Sequence, residues 1–338
     1  MVRKREVLSN PVRTIEVGKK SVSRLLDEMA QTGFQGKKLG EVAKIWTEMT
    51  SRKGLTIFMG LTGSLSTTGQ WKIVRWLIEK RYVDVLVSTG ANISEDLLEA
   101  IGYRYYQGTW LANDEELLRL KIDRFYDVYA DEYEYRKLED LILKFASGLD
   151  DKLVYSTREF LWLFGEYQSK KGIRSITAAA YERKVPVYSP GLIDSGYGVA
   201  LSLLKRKGKL IRLDQTKDME ELAKIAEKTR RTGVVYLGGG VPKDTIQLAT
   251  VIKSLGRGGE EETPHDYAIQ ITADSPQWGG LSGCTLEEAV SWGKVAPDAR
   301  KATLYCDITL ALPIIVHAIN ERVERRVDPP DLGWVFKA

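Results

Sequence analysis

The sequence predicts an α/β fold, a Rossmann-like parallel sheet flanked by helices and carrying a helical insertion. Three observations predict it. From Leu55 onward, short β-type runs that are apolar on both faces alternate with amphipathic helical segments, the pattern of a parallel sheet covered on both sides. Those runs end in small or acidic residues: Gly60, Thr89-Gly90, Ser189-Pro190, Gly238-Gly239-Gly240, Asp274 and Asp307. Ligands in such sheets sit beyond the carboxyl ends of the strands. Finally, residues 103–172 break the rhythm and are rich in Tyr, Asp, Glu and Lys.

Residues 1–54 read as an irregular tail followed by helices, with apolar residues at three-to-four spacing over Ser21–Gln31 and Leu39–Arg52. Residues 55–338 read as one domain. Its predicted strands are Leu55–Met59, Val83–Ser88, Val185–Ser189, Lys209–Leu213, Gly233–Leu237, Tyr267–Thr272 and Ala302–Cys306. Between them the periodicity predicts helices over Gln70–Lys80, Ser94–Ile101, Met219–Arg230, Lys243–Ser254 and Thr309–Val323. The insertion is expected to be helical over Asp114–Phe145 and Thr157–Lys170, and Gly256–Pro264 to be a mobile surface loop.

Composition excludes several classes. The 338 residues are 43 % apolar, enough for a sizeable core, and the net charge of +4 is small beside 50 basic and 46 acidic side chains. The cluster Arg3-Lys4-Arg5 is too short for nucleic-acid binding. Two cysteines, Cys284 and Cys306, without CxxC exclude a disulfide framework and a cysteine zinc site. Two histidines, His265 and His317, make a histidine metal centre unexpected, and His317 lies in an apolar run as a core histidine would. No apolar run is long enough to span a membrane and no signal-peptide h-region is present, so the expectation is a cytoplasmic protein without membrane contact.

The stretch with most chemical content is Thr285–Lys294. Thr285 and Glu288 have capping-box spacing, Gly293 stands where a helix end favours glycine, and Lys294 follows beside Trp292. A lysine is nucleophilic only when uncharged, and a poorly solvated site favours that form. A solvated lysine after a helix stop satisfies the same residues. Gly60–Gly69 and Gly238–Lys243 are glycine- and hydroxyl-rich turns that admit a phosphate or serve as tight βα turns. Asp307 and Asp194 each suit a ribose hydroxyl pair or a helix N-cap. Glu95 and Asp96 read as first-turn helix acids.

Together these pieces resemble deoxyhypusine synthase. The resemblance rests on Glu287-Glu-Ala-Val-Ser-Trp-Gly-Lys294, Val83-Asp-Val-Leu-Val, Ser189-Pro-Gly-Leu-Ile-Asp194, Gly238-Gly-Gly-Val-Pro-Lys243 and Tyr305-Cys-Asp307, and runs from about Leu55 to about Val323. It implies an NAD-dependent transferase of Rossmann-like fold, assembled as a homotetramer. Such an enzyme passes an aminobutyl group from spermidine, through an imine on a lysine, to the hypusine-bearing translation factor. The matching nucleophile is Lys294. The implied NAD site includes Ser64, Thr67, Thr89, Gly90, Glu95, Asp194 and Asp307, and the polyamine contacts include Gly239, Glu288 and Trp292.

The chain departs from the family at the amine pocket. Val199, Leu281 and Trp278 stand where the family has aspartates, and Asp244 stands where it has histidine. An ammonium buried without an acid partner is costly, so the departures imply a remodelled pocket. The alternatives are a homospermidine synthase-like enzyme acting on small diamines, or a non-catalytic NAD-binding paralogue. Retention of Lys294 favours an enzyme.

Overall fold

The computed structural model describes residues 3–256, 258 and 263–337. Among them, six strands form the central sheet: β1 (Leu55–Leu61), β2 (Val85–Thr89), β3 (Val187–Gly191), β4 (Arg231–Leu237), β5 (His265–Thr272) and β6 (Val295–Tyr305). The order across the sheet is β6-β5-β4-β1-β2-β3, and every pairing is parallel. The chain runs outward from β1 to β3, then returns to the other side of β1 and runs outward to β6. The switch point therefore lies between β1 and β4.

Alternation along the strands builds the two covering layers. Phe58, Val85, Val87, Val234, Tyr236 and Ala268 join one core, with α9 (Gln215–Lys228), α10 (Gly240–Gly256) and α11 (Leu286–Ser291). Ile57, Met59, Leu61, Val235, Leu237, Ile269 and Ile271 join the other. There they meet α2 (Phe34–Ser51), α3 (Trp71–Glu79) and α12 (Ile308–Arg322), with α1 (Val22–Met29) beside α2 and α12. All seven residues of the central strand β1 are buried, which explains its continuous apolar run. The C-terminal segment is fastened to the start of β1 by Arg326. Its guanidinium donates to the carbonyls of Met49 (2.9 Å), Thr50 (3.0 Å) and Leu55, and faces Asp84, whose Oδ2 accepts the Ile57 amide at 2.8 Å.

Three expectations need correction. The Lys209–Leu213 run does not enter the central sheet. Only Arg212–Leu213 is extended, and it pairs with Val154–Tyr155 in a separate two-stranded ladder. The predicted helix Asp114–Phe145 is broken. Asp114–Leu120 ends on Lys121 in the left-handed region, and the hairpin Ile122–Phe125/Val128–Asp131 follows, with Tyr106–Gln107 as its third strand. Helix α5 (Glu132–Ser147) then starts on Asp131, whose carboxylate caps it through the Glu134 amide. The insertion is therefore part sheet, because Ile122-Asp-Arg-Phe and Val128-Tyr-Ala-Asp carry strand alternation that the surrounding charge obscures. Helix α6 (Thr157–Lys170) lies where it was predicted. His317 is exposed: the core face of α12 is Ala311, Leu312, Ile315, Ala318 and Ile319, and His317 falls between those positions, whereas His265 is the buried histidine. Of the predicted loop Gly256–Pro264, residues 257 and 259–262 lie outside the described residues.

Candidate active site

Because every strand of the central sheet is parallel, all six carboxyl ends share one rim, and the loops there fall into two groups. The first follows β1, β2 and β3. The β1 loop carries Ser64, whose hydroxyl is 2.8 Å from that of Thr67 and donates to Glu95 Oε2. Asn92 locks the loop in place: its Nδ2 donates to the Gly63 carbonyl (2.6 Å) and to Thr89 Oγ1 (3.0 Å), and its Oδ1 accepts the Leu65 amide (2.9 Å). Gly90 is packed so closely that a Cβ would lie 2.5 Å from Ser195 Oγ and 2.7 Å from the Leu192 carbonyl. Five predicted residues, Ser64, Thr67, Thr89, Gly90 and Glu95, are thus brought together.

Glu95 sits on α4 (Asn92–Ala100), and burial pushes its carboxyl above the usual range, against the lowering pull of its bonds from Ser64 and Tyr135. Tyr135, from α5 of the insertion, donates to Glu95 Oε1 at 3.4 Å, and Tyr105 donates to the Glu95 carbonyl at 2.9 Å. The adjoining Asp96 is fully buried. Its Oδ2 accepts the Ile176 amide at 2.7 Å while Oδ1 has no partner, and desolvation lifts its carboxyl to about 7. Asp194 is exposed in the β3 loop, and no hydrogen bond involves its carboxylate among the described residues. Asp307 is the N-cap of α12, its Oδ1 accepting from the Thr309 amide (2.7 Å) and hydroxyl (2.6 Å), so the capping alternative describes at least that oxygen.

The second group follows β4, β5 and β6. The Thr62 hydroxyl, at the switch point, donates to the Leu237 carbonyl (3.0 Å) and accepts the Gly239 amide (3.2 Å). Gly238 has φ +82° and Gly239 lies against Ser282, so that a Cβ on Gly239 would stand 2.5 Å from the Ser282 Cα. Lys243, the end of that turn, is completely buried. Its Nζ donates to Gln270 Oε1 (3.1 Å) and to the Cys284 carbonyl, and burial depresses its ammonium.

Lys294 stands next to it. Thr285 caps α11 by accepting the Glu288 amide at 3.0 Å, and Gly293, at φ +65°, closes the helix: its amide reaches the Val290 carbonyl and the Lys294 amide the Ala289 carbonyl, each at 3.0 Å. This paired closure is the one a left-handed glycine allows. It sends the lysine side chain toward α10, where Nζ lies 3.0 Å from Asp244 Oδ1 and 5.2 Å from the Trp292 ring centre. The niche expected from sequence to be apolar is therefore half ionic. Glu288 does not complete a capping box; its carboxylate is exposed and bonds with the Cys284 thiol, which burial raises above its ordinary range. The acid positions that differ, Val199, Leu281 and Trp278, are 41 %, 40 % and 77 % exposed. Sequence reasoning named Asp244 only as a departure and missed Asn92 and Tyr135. The Asn92 signal was its place just after the Thr89-Gly90 strand end; Tyr135 left no signal.

The helix starts along the rim are not alike. Helices α3 and α4, which follow β1 and β2, start on Gln70 and Ala91 without a side-chain cap, whereas α6, α9, α11 and α12 are capped by Ser156, Asp214, Thr285 and Asp307. Uncapped first-turn amides are open to an anionic ligand. A Cβ on Gly63 or Gly191 would meet nothing within 4 Å, so the space above both loops is open.

Comparison with known proteins bears on the family and the fold. The family described as deoxyhypusine synthase matches residues 24–319. "Probable deoxyhypusine synthase 2" of Methanosarcina acetivorans is 46 % identical over 95 % of this chain and 93 % of its own length. Its namesake in Archaeoglobus fulgidus is 47 % identical over 86 % and 95 %. The "Deoxyhypusine synthase-like protein" of Chlorobaculum parvum is 36 % identical over 95 % and 93 %. Among solved structures, a protein assigned as a deoxyhypusine synthase from Entamoeba histolytica superposes with a TM-score of 0.61 at 18 % identity, covering 91 % of this chain and 96 % of that one.

Proposed function

The chain belongs to the deoxyhypusine synthase family, and on that premise we propose that it is an NAD-dependent transferase that carries an aminobutyl-type group on Lys294. The donor is a polyamine or related amine. The observation that supports this most is the seating of Lys294 at the rim of a parallel sheet, its amine 3.0 Å from the Asp244 carboxylate and 5.2 Å from the Trp292 ring centre.

In this reading Ser64, Thr67, Thr89 and Gly90 line the cofactor's approach, the uncapped starts of α3 and α4 face its diphosphate, and Asp194 and Asp307 take its ribose hydroxyls. Bound there, NAD would supply reversible hydride acceptance for the carbon beside the donor's secondary amine. The protein's own part is to orient and to exchange. Glu288 and Trp292 hold the amine chain, and Gly239 leaves room for it. The Lys294 amine adds to the oxidised carbon, the old C–N bond breaks, and the leaving amine departs with a proton. The acceptor amine then reverses the exchange. Compartment and assembly are proposed from the family likeness, as cytoplasm and homotetramer.

Two acceptors fit this chemistry: the hypusine-bearing translation factor and a small diamine. Exposed Val199, Leu281 and Trp278 on the rim support the diamine reading, because they remove acids that would match a highly charged polyamine. The deciding experiment is borohydride trapping with NAD and a panel of amines, read by intact mass and peptide mapping. A donor-dependent adduct on Lys294 is expected. NAD binding without an adduct from any amine overturns the transferase reading in favour of a non-catalytic paralogue. Consumption of free diamines with no modification of a translation factor sinks the protein acceptor.

A further inference from the structure

An ammonium has no lone pair and does not attack carbon. Yet Lys294 is ion-paired with Asp244 at 3.0 Å, with the two side chains only 12 % and 29 % exposed. We propose that this pair is a substrate-operated latch: Asp244 holds the Lys294 amine at rest, and a cationic group of the incoming amine takes over the carboxylate and frees the nucleophile. Asp244 then serves both as a binding residue for the donor's ammonium and as the group that times activation. The inference rests on the transferase reading of Lys294.

The surrounding charges make the exchange feasible. Four groups face one another: Lys243 and Lys294 against Asp244 and Glu288, with the Cys284 thiol and the Tyr236 hydroxyl as the other titratable neighbours. At rest two cations balance two anions. An arriving ammonium makes three against two, and like-charge neighbours favour the uncharged form of whichever amine can shed a proton. Lys243 donates to the Gln270 side chain and the Cys284 carbonyl, both fixed between α10, β5 and α11. Lys294 is held by a single carboxylate at the start of α10. When the incoming ammonium takes Asp244, Lys294 loses the carboxylate that holds it, whereas Lys243 keeps both of its acceptors; Lys294 is therefore the amine set free, its proton passing to water and no bond other than N–H breaking. Glu288 makes no ion pair among the described residues and is exposed, so it remains available to a second positive group of the same ligand.

The test needs neither NAD nor turnover. Lys294 is alkylated with excess propanal and cyanoborohydride, with and without 1,4-butanediamine, and the rate at Lys294 is followed by peptide mapping, using the other lysines as internal references. In the native protein the diamine should accelerate labelling of Lys294 and move its pH midpoint down; one pKa unit corresponds to about tenfold more free amine. D244N should label fast without diamine and respond to it no further, and D244E should restore the response. Diamine that slows or leaves unchanged the labelling of the native Lys294 overturns the latch, as does a folded D244N that labels no faster. The native response alone decides the matter if D244N does not fold. A diamine response without any NAD-dependent adduct would sink the transferase reading and leave the latch standing; an adduct without a diamine response does the reverse.

Discussion

The two halves of the rim are built on different principles. Under β1, β2 and β3 the site is made of backbone and small polar side chains, pinned by short-range bonds: Asn92 to Gly63, Thr89 and Leu65, Ser64 to Thr67 and Glu95, Gly90 against Ser195. Under β4, β5 and β6 it carries long charged side chains, Lys243, Asp244, Glu288 and Lys294, of which Asp244 and Lys294 are ion-paired across elements while Lys243 is tied to Gln270 and the Cys284 carbonyl. A half pinned in this way suits a ligand that is always the same. A half made of exchangeable ion pairs suits groups that arrive, react and leave. The difference teaches that stability and chemistry should separate in this molecule when the two halves are altered in turn.

The largest expected effect comes from the charged half. Lys294→Ala should abolish transfer, by at least about a thousandfold, because the residue proposed to carry the group is gone. Its thermal midpoint should stay within about 2 °C of the native one, since the amine is partly exposed and bonded to a single carboxylate. Nicotinamide dinucleotide binding, read by calorimetry, should persist. A variant that binds no dinucleotide would show that the halves are not separable.

The pinned half should respond in the opposite way. In Gly90→Ala the new Cβ would stand 2.5 Å from Ser195 Oγ and 2.7 Å from the Leu192 carbonyl, a backbone atom that cannot swing aside. A cost of about 1–3 kcal/mol is expected from overpacking, seen as a lower denaturation midpoint, with dinucleotide affinity falling in parallel. Unchanged stability with lost activity would contradict the division.

Asp96 gives the comparison a pH axis. Burial raises its carboxyl from 3.8 to about 7, so the folded protein binds its proton more tightly than the unfolded chain does. Between those two values the folded state holds more protons, and stability falls as pH rises through the window. The contribution is therefore full below about pH 4 and lost above about pH 7. Asp96→Asn keeps an acceptor for the Ile176 amide and removes the titration. Native and variant should be similar at low pH, with the variant more stable at pH 8 by an amount on the order of a few kcal/mol. Urea melts across pH 5–8 read the difference, and parallel curves would mean that Asp96 does not titrate in this range.

Legibility in the sequence followed the same division. The strand rhythm, the glycine turns and the capped start of α11 are local patterns, and the central sheet can be read from them without knowing what packs on it. What the sequence concealed is held by contacts distant along the chain. Asp244 meets a lysine fifty positions away, and Tyr135 reaches Glu95 from an insertion whose hairpin was hidden inside a charged, helix-like stretch. Lys209–Leu213 looked like a central strand because apolar spacing does not specify a partner, and its partner turned out to be Val154–Tyr155. His317 was misplaced because a helix as apolar as α12 keeps Leu310 and Ile314 on its exposed side as well.

The smallest effect tests how far the charged half depends on the indole beside Lys294. Trp292 is 65 % exposed and lies over the Lys294 amine at 5.2 Å. A cation facing an exposed ring gains about 0.5–1 kcal/mol, which corresponds to roughly a two- to fivefold change in an equilibrium. Trp292→Ala should raise the KM for the amine donor by that factor, leave the denaturation midpoint unchanged, and leave dinucleotide affinity untouched. Trp292→Phe, with a weaker but present ring face, should fall between. A loss confined to kcat would assign the indole to positioning of Lys294 rather than to holding of the donor. A loss of dinucleotide affinity would show that the two halves are coupled, with the Thr62–Gly239 bond at the switch point as the link between them.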